Sequence, residues 1–458
     1  MNELRESAPL RSIGFGDAFK VWLRIGLTSF GGPAGQIALM HKLLVEERRW
    51  IGEKRFLHAL NYCMLLPGPE AQQLATYIGW LLHRTWGGIV AGTLFVLPGA
   101  LVIWLLSVLY TGYKDLALVQ AIFFGVKAAV LAVVIEAVHR IGKRVLKNGY
   151  MIALAAAAFI GIFAFDIPFP IIVLAAGAIG YMGGRFKPAE FVVIKNHADK
   201  AGQAPAVVDA MLERDGAHIK PSWRHALTVF GIGGVLWFGP LIAITAWLGW
   251  DHVYAKEGWF FSKMAVVTFG GAYAVLAYVA QEAVQHYHWL AAGEMLDGLG
   301  LAETTPGPLI LVLQFVGFVA AFRQATGLDP VLAGTFGALL VTWVTFVPCF
   351  MWIFIGAPYV EALRGKQGLS AALSGITAAV VGVILNLAVW FGLHVLFGSV
   401  RVIEWRVVRI TVPDLATLDP AAAVLAVAAL IALLRFKIGM LPTLGAAALL
   451  GVAWRYLF

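Results

Sequence analysis

Ser29-Phe30-Gly31-Gly32 and, further along, Pro67-Gly68-Pro69 return in the second half of the chain as Thr268-Phe269-Gly270-Gly271 and Pro306-Gly307-Pro308. Gly31 lies 36 residues before Pro67 and Gly270 lies 36 residues before Pro306, so both motifs are displaced by the same 239 residues. That displacement also pairs Trp50 with Trp289, Arg84 with Arg323 and Arg24 with Lys263, which sets a basic residue a few positions ahead of each Gly-Gly. Two later blocks match at a displacement of 250. They are Phe95-Val96-Leu97-Pro98 with Thr345-Phe346-Val347-Pro348, and Gly125-Val126-Lys127-Ala128-Ala129-Val130 with Gly375-Ile376-Thr377-Ala378-Ala379-Val380. The chain is an internal duplication, with about eleven residues inserted in its second copy.

Composition sets the medium. Hydrophobic residues make up 60% of the chain and charged residues 13%, with a mean hydropathy of +0.82, which is outside the range of soluble globular proteins. The chain reads as an all-α, polytopic helical membrane protein. Met1 to Ser12 is polar and charged, and Lys20 and Arg24 interrupt the first apolar stretch, so no cleavable signal peptide is visible. No basic, aromatic-interleaved patch suggests nucleic acid. Cys63 and Cys349 each lie alone in an apolar run and read as core residues rather than a disulfide or metal site.

A bilayer core takes roughly 20 apolar residues per helix. Thirteen segments of about that length run near 14–40, 59–82, 88–110, 117–139, 150–165, 167–184, 226–250, 260–281, 298–322, 330–356, 370–397, 419–435 and 439–457. Six precede the helix at 226–250 and six follow it, and the repeat restarts just beyond it. Seven crossings then separate equivalent starting points, an odd number, which makes the two repeats inverted. The chain divides into an N-terminal repeat, 1–184, a polar linker, 185–225, a connecting membrane helix, 226–250, and a C-terminal repeat, 251–458.

Lys and Arg are retained on the cytoplasmic side of helical membrane proteins. Arg5, Arg11, Arg84, Arg140, Lys143, Arg144 and Lys147 fall on the linker's side, which places the amino terminus and the linker in the cytoplasm. The 42–55 connection is the exception, because Lys42, Arg48, Arg49, Lys54 and Arg55 would then lie outside; either this segment folds back or the orientation is reversed. Arg401 to Val412 alternates polar and β-branched residues and reads as an extended loop segment.

Within hydrocarbon, backbone amides need partners, so Gly-Gly or Pro-Gly-Pro inside an apolar helix fits where unwound backbone is buried in protein or lines a cavity. Proline lacks a donor and clashes with the preceding turn. Pro67 and Pro69 therefore break their segment and start a half-helix near Glu70, and Pro306 and Pro308 do the same near Leu309. Free amides and the dipole at such a terminus attract an anion. Taken singly, each motif also fits close helix packing, as Gly31/Gly35 and Gly88/Gly92 would. Their recurrence at identical spacing favours a site.

Arg24, Lys127 and Lys263 lie within membrane segments, where a charge is costly unless paired or watered. Arg24 and Lys263 are repeat equivalents near segment ends, so snorkelling competes with an anion-ligand role. Lys127 is deeper and corresponds to Thr377. Glu70, directly after Pro-Gly-Pro, is either a proton-coupling carboxylate or the cap of its half-helix, and Glu303 precedes the second Pro-Gly-Pro. Glu136, equivalent to Asn386, is a further proton-site candidate. His286 and His288 fall on different helix faces, against a metal site. With no P-loop, Cys-x-x-Cys, Gly-x-Ser-x-Gly or His-Glu-x-x-His, an ATP-driven pump or a membrane hydrolase has no support.

These motifs, in this order and at this spacing, resemble the chromate ion transporter family in its long form with two homologous domains. The likeness spans essentially the whole membrane portion. It implies a secondary transporter of the bacterial inner membrane that exports chromate and confers resistance to it, not an enzyme, with sulfate as the similar oxyanion and no cofactor. It also implies thirteen membrane segments in antiparallel halves. The family's motifs carry over onto Phe30, Gly31, Gly32, Pro33, Pro67, Gly68 and Pro69, and onto Phe269, Gly270, Gly271, Pro306, Gly307 and Pro308. Its basic residue ahead of the Gly-Gly corresponds to Arg24, whereas Lys263 keeps the charge but loses bidentate geometry. The expectation is a chromate dianion near the bilayer midplane, reached alternately from the two sides by rocking of the repeats. A sulfate or other oxyanion carrier, an anion channel and a membrane-embedded sensor are the alternatives, and a homodimer stays open.

Overall fold

The computed structural model describes residues 13–64, 66–191, 206–208, 211, 221–269, 271–359, 367–406 and 408–457. Gly270 lies outside these, as do Arg5 and Arg11. The first half comprises α1 (Phe15–Thr28), α2 (Gly32–His41) with a π turn at Lys42–Glu47, α3 (Glu53–Cys63), α4 (Glu70–Tyr113), α5 (Ala117–Val145), α6 (Gly149–Phe165) and α7 (Phe169–Phe186). After the linker come α8 (Trp223–Leu248), α9 (Val253–Val267), α10 (Ala272–Gln281) with a π turn at Glu282–His286, and α11 (Ala292–Thr304). A 3₁₀ turn at Leu309–Leu311 leads into α12 (Val312–Arg323), followed by α13 (Pro330–Gly356) and α14 (Gln367–Leu396). The antiparallel hairpin of β1 (Val400–Trp405) and β2 (Val408–Pro413) falls on the extended segment expected from sequence, and α15 (Pro420–Leu434) and α16 (Met440–Leu457) end the chain.

Local chemistry fixes the helix ends. Pro33, Pro330 and Pro420 occupy first-turn positions where a missing N–H costs nothing. Asp329 accepts from the amides of Val331 and Leu332, and Asp419 from those of Ala421 and Ala422, which satisfies orphan donors of α13 and α15. Pro69 precedes Glu70, so the helix restarts where the proline stops interfering. α8 exposes Phe230, Ile232, Val235 and Leu236, a surface suited to hydrocarbon rather than water.

α4 folds back on itself. His83 (φ −138°, ψ 32°) and Arg84 (φ 54°, ψ −150°) break the helix into two antiparallel limbs. A Cβ on Gly79 would lie 2.4 Å from the Gly87 carbonyl oxygen, and one on Gly87 2.2 Å from that of Gly79, so the limbs touch backbone to backbone. In the second copy this tight turn is replaced by the 324–329 loop and an earlier start of the following helix, α13. The inserted residues of the sequence repeat fall there.

All thirteen expected segments are helical, and the four that carry the motifs are broken as anticipated. They are also hairpins that return to the face they entered. His83 Nε2 bonds the Ile13 carbonyl at 2.9 Å, and Val208 N–H of the linker donates to the Trp50 carbonyl at 2.9 Å. The start of α1, the connection after α2 and the turn of α4 therefore share one face, the linker face. Tyr62 near the end of α3 donates to the Trp352 carbonyl at 3.2 Å, along the last turns of α13. On the opposite, β-hairpin face, Arg323 donates to the Trp289 carbonyl at 2.9 Å and to Glu294, and Tyr254 donates to the Ala333 carbonyl at 3.0 Å. The α9/α10 and α11/α12 pairs thus enter from and return to that face.

Two consequences follow for the topology. The crossings between equivalent starts are the second limb of α4, then α5, α6, α7 and α8, five in place of seven, and the parity that inverts the repeats is kept. The basic 42–55 connection folds back onto the linker face, which removes the exception to the charge rule. Equivalent backbone turns match closely: Arg49 and His288 have φ 52° and 53°, and Trp50 and Trp289 each bond at 2.8 Å to the carbonyls of Leu44 and Ala283.

On the β-hairpin face, Glu294 of α11 accepts from Lys114 Nζ at 2.8 Å, from Arg323 and from the Ala291 amide at 2.8 Å, with its side chain only 12% exposed. Beside it, Lys127 pairs with Asp297 at 3.3 Å, and Tyr110 donates to Asp297 at 2.8 Å. Lys114, Lys127, Glu294 and Asp297 line a cavity of about 450 Å³ and tie the second repeat's hairpin to α4 and α5 of the first. Glu294→Ala removes the shared acceptor and leaves two cations facing each other. A loss of about 3 kcal/mol is expected, read as a lower unfolding midpoint of the purified protein in detergent.

Candidate anion-binding site

Each Gly-Gly break is built in the same way. α1 ends with Ser29 at φ −79°, ψ 71°, and the Phe30 amide turns back to the Thr28 carbonyl at 3.0 Å. α9 ends with Thr268 at φ −74°, ψ 81°, and the Phe269 amide returns to the Val267 carbonyl at 2.9 Å. The Ser29 and Thr268 hydroxyls donate one turn back, to the carbonyls of Ile25 at 2.6 Å and Met264 at 2.5 Å. Neither hydroxyl is left to solvate a substrate.

The Pro-Gly-Pro turns meet the Gly-Gly breaks of the opposite repeat. Gly68 N–H donates to the Thr268 carbonyl at 2.8 Å, and Gly307 N–H donates to the Ser29 carbonyl at 2.9 Å. Reciprocal contacts of this kind are the mark of a two-fold relation between the halves. The surrounding helix follows it too: a Cβ on Gly99 would lie 2.1 Å from the Pro306 carbonyl oxygen, and at the equivalent position Cys349 Sγ lies 2.8 Å from the Cβ site of Gly68. Gly68 (φ 122°) and Gly307 (φ 95°) hold left-handed backbone that makes both bridges possible. Cys349 and Cys63 are both free thiols in the core.

Two glutamines that the motif pattern does not include complete this centre. Gln36 Nε2 donates to the Gly307 carbonyl at 2.5 Å and reaches the Ser29 carbonyl at 3.4 Å, while Gln73 Nε2 donates to the Pro67 carbonyl at 2.8 Å. Their counterparts, Val275 and Val312, are apolar, so the braces belong to one repeat only. A polar amide one turn after each motif in an otherwise apolar run was the available signal.

The bridges occupy the amides of Gly68 and Gly307, so the donors left for an anion are those of the half-helices that follow Gly-Gly. The first-turn amides of α2, Gly32 and Ala34, and of α10, Ala272 and Tyr273, have no intrahelical acceptor. Gly31 and Ala34 are exposed and Phe30, Gly32 and Pro33 half-buried, as are Phe269 and Gly271, whereas Gly68, Pro69, Pro306, Gly307 and Pro308 are buried and Pro67 is half-buried. The Gly-Gly side of the centre is open and the Pro-Gly-Pro side is packed.

Arg24 and Lys263 both lie five residues ahead of their breaks, about 7 Å along the helix at 1.5 Å per residue, on exposed faces of α1 and α9. Arg24 makes no ion pair among the described residues. Lys263 Nζ is 3.3 Å from the Tyr278 hydroxyl and 5.4 Å from its ring centroid. Inversion puts them on opposite sides of the centre. Lys127 lies instead at the β-hairpin-face cavity, neutralised by Asp297.

Acidic groups gather on the linker side of the centre. Glu70 opens α4 without bonding its own helix end, and Arg144 is the charge that acts on it, its guanidinium lying 3.8 Å from Met64 Sδ. Glu136 pairs with Arg140 at 3.6 Å, and both act on Glu303, which is 2% exposed and accepts from the Tyr273 hydroxyl at 2.5 Å.

The family profile described as "Chromate transporter" matches residues 16–181 and 256–452. The chain is 32% identical to a chromate transport protein of Pseudomonas aeruginosa over 80% of this chain and 78% of that one. It is 28% identical to a chromate transport protein of Cupriavidus metallidurans, over 79% of each chain. A probable chromate transport protein of Synechococcus elongatus is 26% identical over 81% of this chain and 83% of its own. No solved structure matches.

Proposed function

This chain belongs to the chromate transporter family, and from that premise we propose that it exports chromate across the bacterial inner membrane by alternating exposure of one central site. The observation that carries this reading is the pair of reciprocal bridges, Gly68 to Thr268 and Gly307 to Ser29, which gather four helix breaks from two repeats at one point. In this reading, the dianion rests on the amides that follow Gly31-Gly32 and Gly270-Gly271, with Pro33, Phe30 and Phe269 shaping the cup. Arg24 supplies a cation on the linker side and Lys263 one on the other. The buried Pro-Gly-Pro turns act as the pivot against which the repeats rock.

The linker face is cytoplasmic in this proposal, because Lys42, Arg48, Arg49, Lys54, Arg55, Lys143, Arg144, Lys147, Arg435 and Lys437 all lie there. An interior-negative potential drives export of an anion, by roughly 2.3 kcal/mol per charge per 100 mV. Sulfate has the same charge and tetrahedral shape and is the competing substrate. The bilayer is the other partner, and no cofactor is invoked.

The test is chromate uptake into everted membrane vesicles containing the protein, with excess sulfate as competitor. Saturable uptake, partly blocked by sulfate and about tenfold or more weaker in Arg24→Ala, is expected, since a charge-assisted contact contributes ~1.5–3 kcal/mol. Uptake of labelled sulfate but not chromate would replace the substrate, and movement of neither would remove the transport reading.

A further inference from the structure

Glu257 belongs to none of the groups above. It lies on α9, one turn in from the β-hairpin face, with a relative exposure of 0%. Neither carboxyl oxygen has a hydrogen-bond partner among the described residues. Its Oε2 lies 3.1 Å from the position a Cβ on Gly337 would take, and that position is also 2.5 Å from the Gly317 carbonyl and 2.7 Å from Ala321 Cβ. The carboxyl group is therefore wedged into the seam where α9, α12 and α13 meet, in a space that only a glycine on α13 leaves open.

No countercharge faces it among the described residues. On its own helix, Lys256 pairs with Asp251 at 3.3 Å, Tyr254 donates to the Ala333 carbonyl and Lys263 meets Tyr278. The charged residue of α12, Arg323, is engaged by Glu294 and Trp289. α13 carries no Asp, Glu, Lys, Arg or His, and those of α8, Arg224 and His225, stand at its opposite end. An ionised carboxylate in a seam this buried is costly without a partner, so the geometry favours the neutral acid in this conformation. The repeat equivalent is Ala18, so the linker-face seam has no such group.

From this geometry we infer that Glu257 is a proton-binding site whose occupancy holds α9 closed against α12 and α13. Loss of the proton to water at the β-hairpin face leaves a carboxylate that the seam cannot hold, and α9 must part from α12 and α13 to hydrate it. The same hairpin carries Thr268 to Gly271 at its tip, so protonation is linked to the position of one half of the anion cup. This extends the transport reading and rests on it.

The test compares wild type, Glu257→Gln and Glu257→Asp, purified and reconstituted. Gln copies the neutral acid, so it preserves the closed seam. The folded wild type holds a proton that an unfolded carboxyl gives up, so its folded-to-unfolded ratio falls relative to Gln as pH rises, by about tenfold per pH unit until the group ionises. The unfolding midpoint of wild type is therefore expected to fall more steeply with rising pH than that of Glu257→Gln, because the other buried carboxyls, Asp297 and Glu303, are common to both proteins. In liposomes, the pH dependence of chromate flux is expected to vanish in Gln and to return, displaced, in Asp. If Gln and wild type show parallel midpoints across pH, or the same pH profile of flux, the proton site is overturned. If no variant moves chromate, the transport reading fails separately, and the midpoints still decide Glu257.

Discussion

Gly99→Val is expected to abolish transport and sharply reduce the amount of folded protein, whereas Cys349→Ala at the equivalent place in the other repeat is expected to be tolerated. A Cβ on Gly99 would stand 2.1 Å from the Pro306 carbonyl oxygen, 3.1 Å from its carbon and 2.7 Å from Leu311 Cδ1. The first two contacts are backbone, so no rotamer change relieves them. Relief requires the second Pro-Gly-Pro turn to move away from α4, which stretches the Gly307 bridge to Ser29 and tilts both half-helices that meet there. Overpacking against fixed backbone costs roughly 3 kcal/mol or more. Cys349 already fills its side of the pseudo-symmetric contact with a sulfur that faces Gly68. Trimming it to alanine leaves a small void and costs about 1 kcal/mol. Thermal unfolding in detergent and chromate flux per mole of protein check both. Equal tolerance at the two positions would mean that the central turns are not packed as a pivot.

The contrast between these positions shows what sequence could and could not reveal. Motif identity and constant spacing were enough to locate all four breaks, because Gly-Gly and Pro-Gly-Pro forbid a continuous helix for reasons intrinsic to the backbone. The starts at Glu70 and Leu309 were legible for the same reason. Whether a broken segment crosses or returns was not legible, since hydropathy is the same for a crossing and for a hairpin of two half-helices. The basic 42–55 connection carried that information as an anomaly, and the bond from Val208 to Trp50 explains it.

Partnering across the repeats was also hidden. Nothing in a single motif tells that Gly68 donates to Thr268, which removes its amide from the set available to an anion. Lys127 looked like an intramembrane cation because its partner Asp297 is 170 residues away, 297 less 127, and belongs to the other repeat. Glu257 has no hydrogen-bond partner among the described residues and no acidic repeat counterpart, so neither pairing nor duplication marks it.

Gly271→Ala is expected to lower chromate flux by more than tenfold with little loss of folded protein, and Gly31→Ala by about fivefold. Both glycines cap the half-helices that would hold the anion, and both have room for a methyl group: nothing lies within 4 Å of a Cβ on Gly271, and only Gly35 Cα, at 3.9 Å, approaches one on Gly31. The cost is therefore one of backbone alone. Gly31, at φ 89° and ψ 25°, is in the left-handed helical region, where a side chain costs about 1–2 kcal/mol. Gly271, at φ 96° and ψ 169°, is in a region essentially reserved for glycine, at about 1–3 kcal/mol or more. A substituted cap rotates toward ordinary angles and swings the first-turn amides off the point they share. Asparagine separates this from bulk, because it tolerates the left-handed helical region and not the other. Gly31→Asn should recover most of the flux lost in Gly31→Ala, and Gly271→Asn should recover none. Wild-type flux in both alanine variants would show that these amides do not hold the anion, whatever the bridges beneath them do.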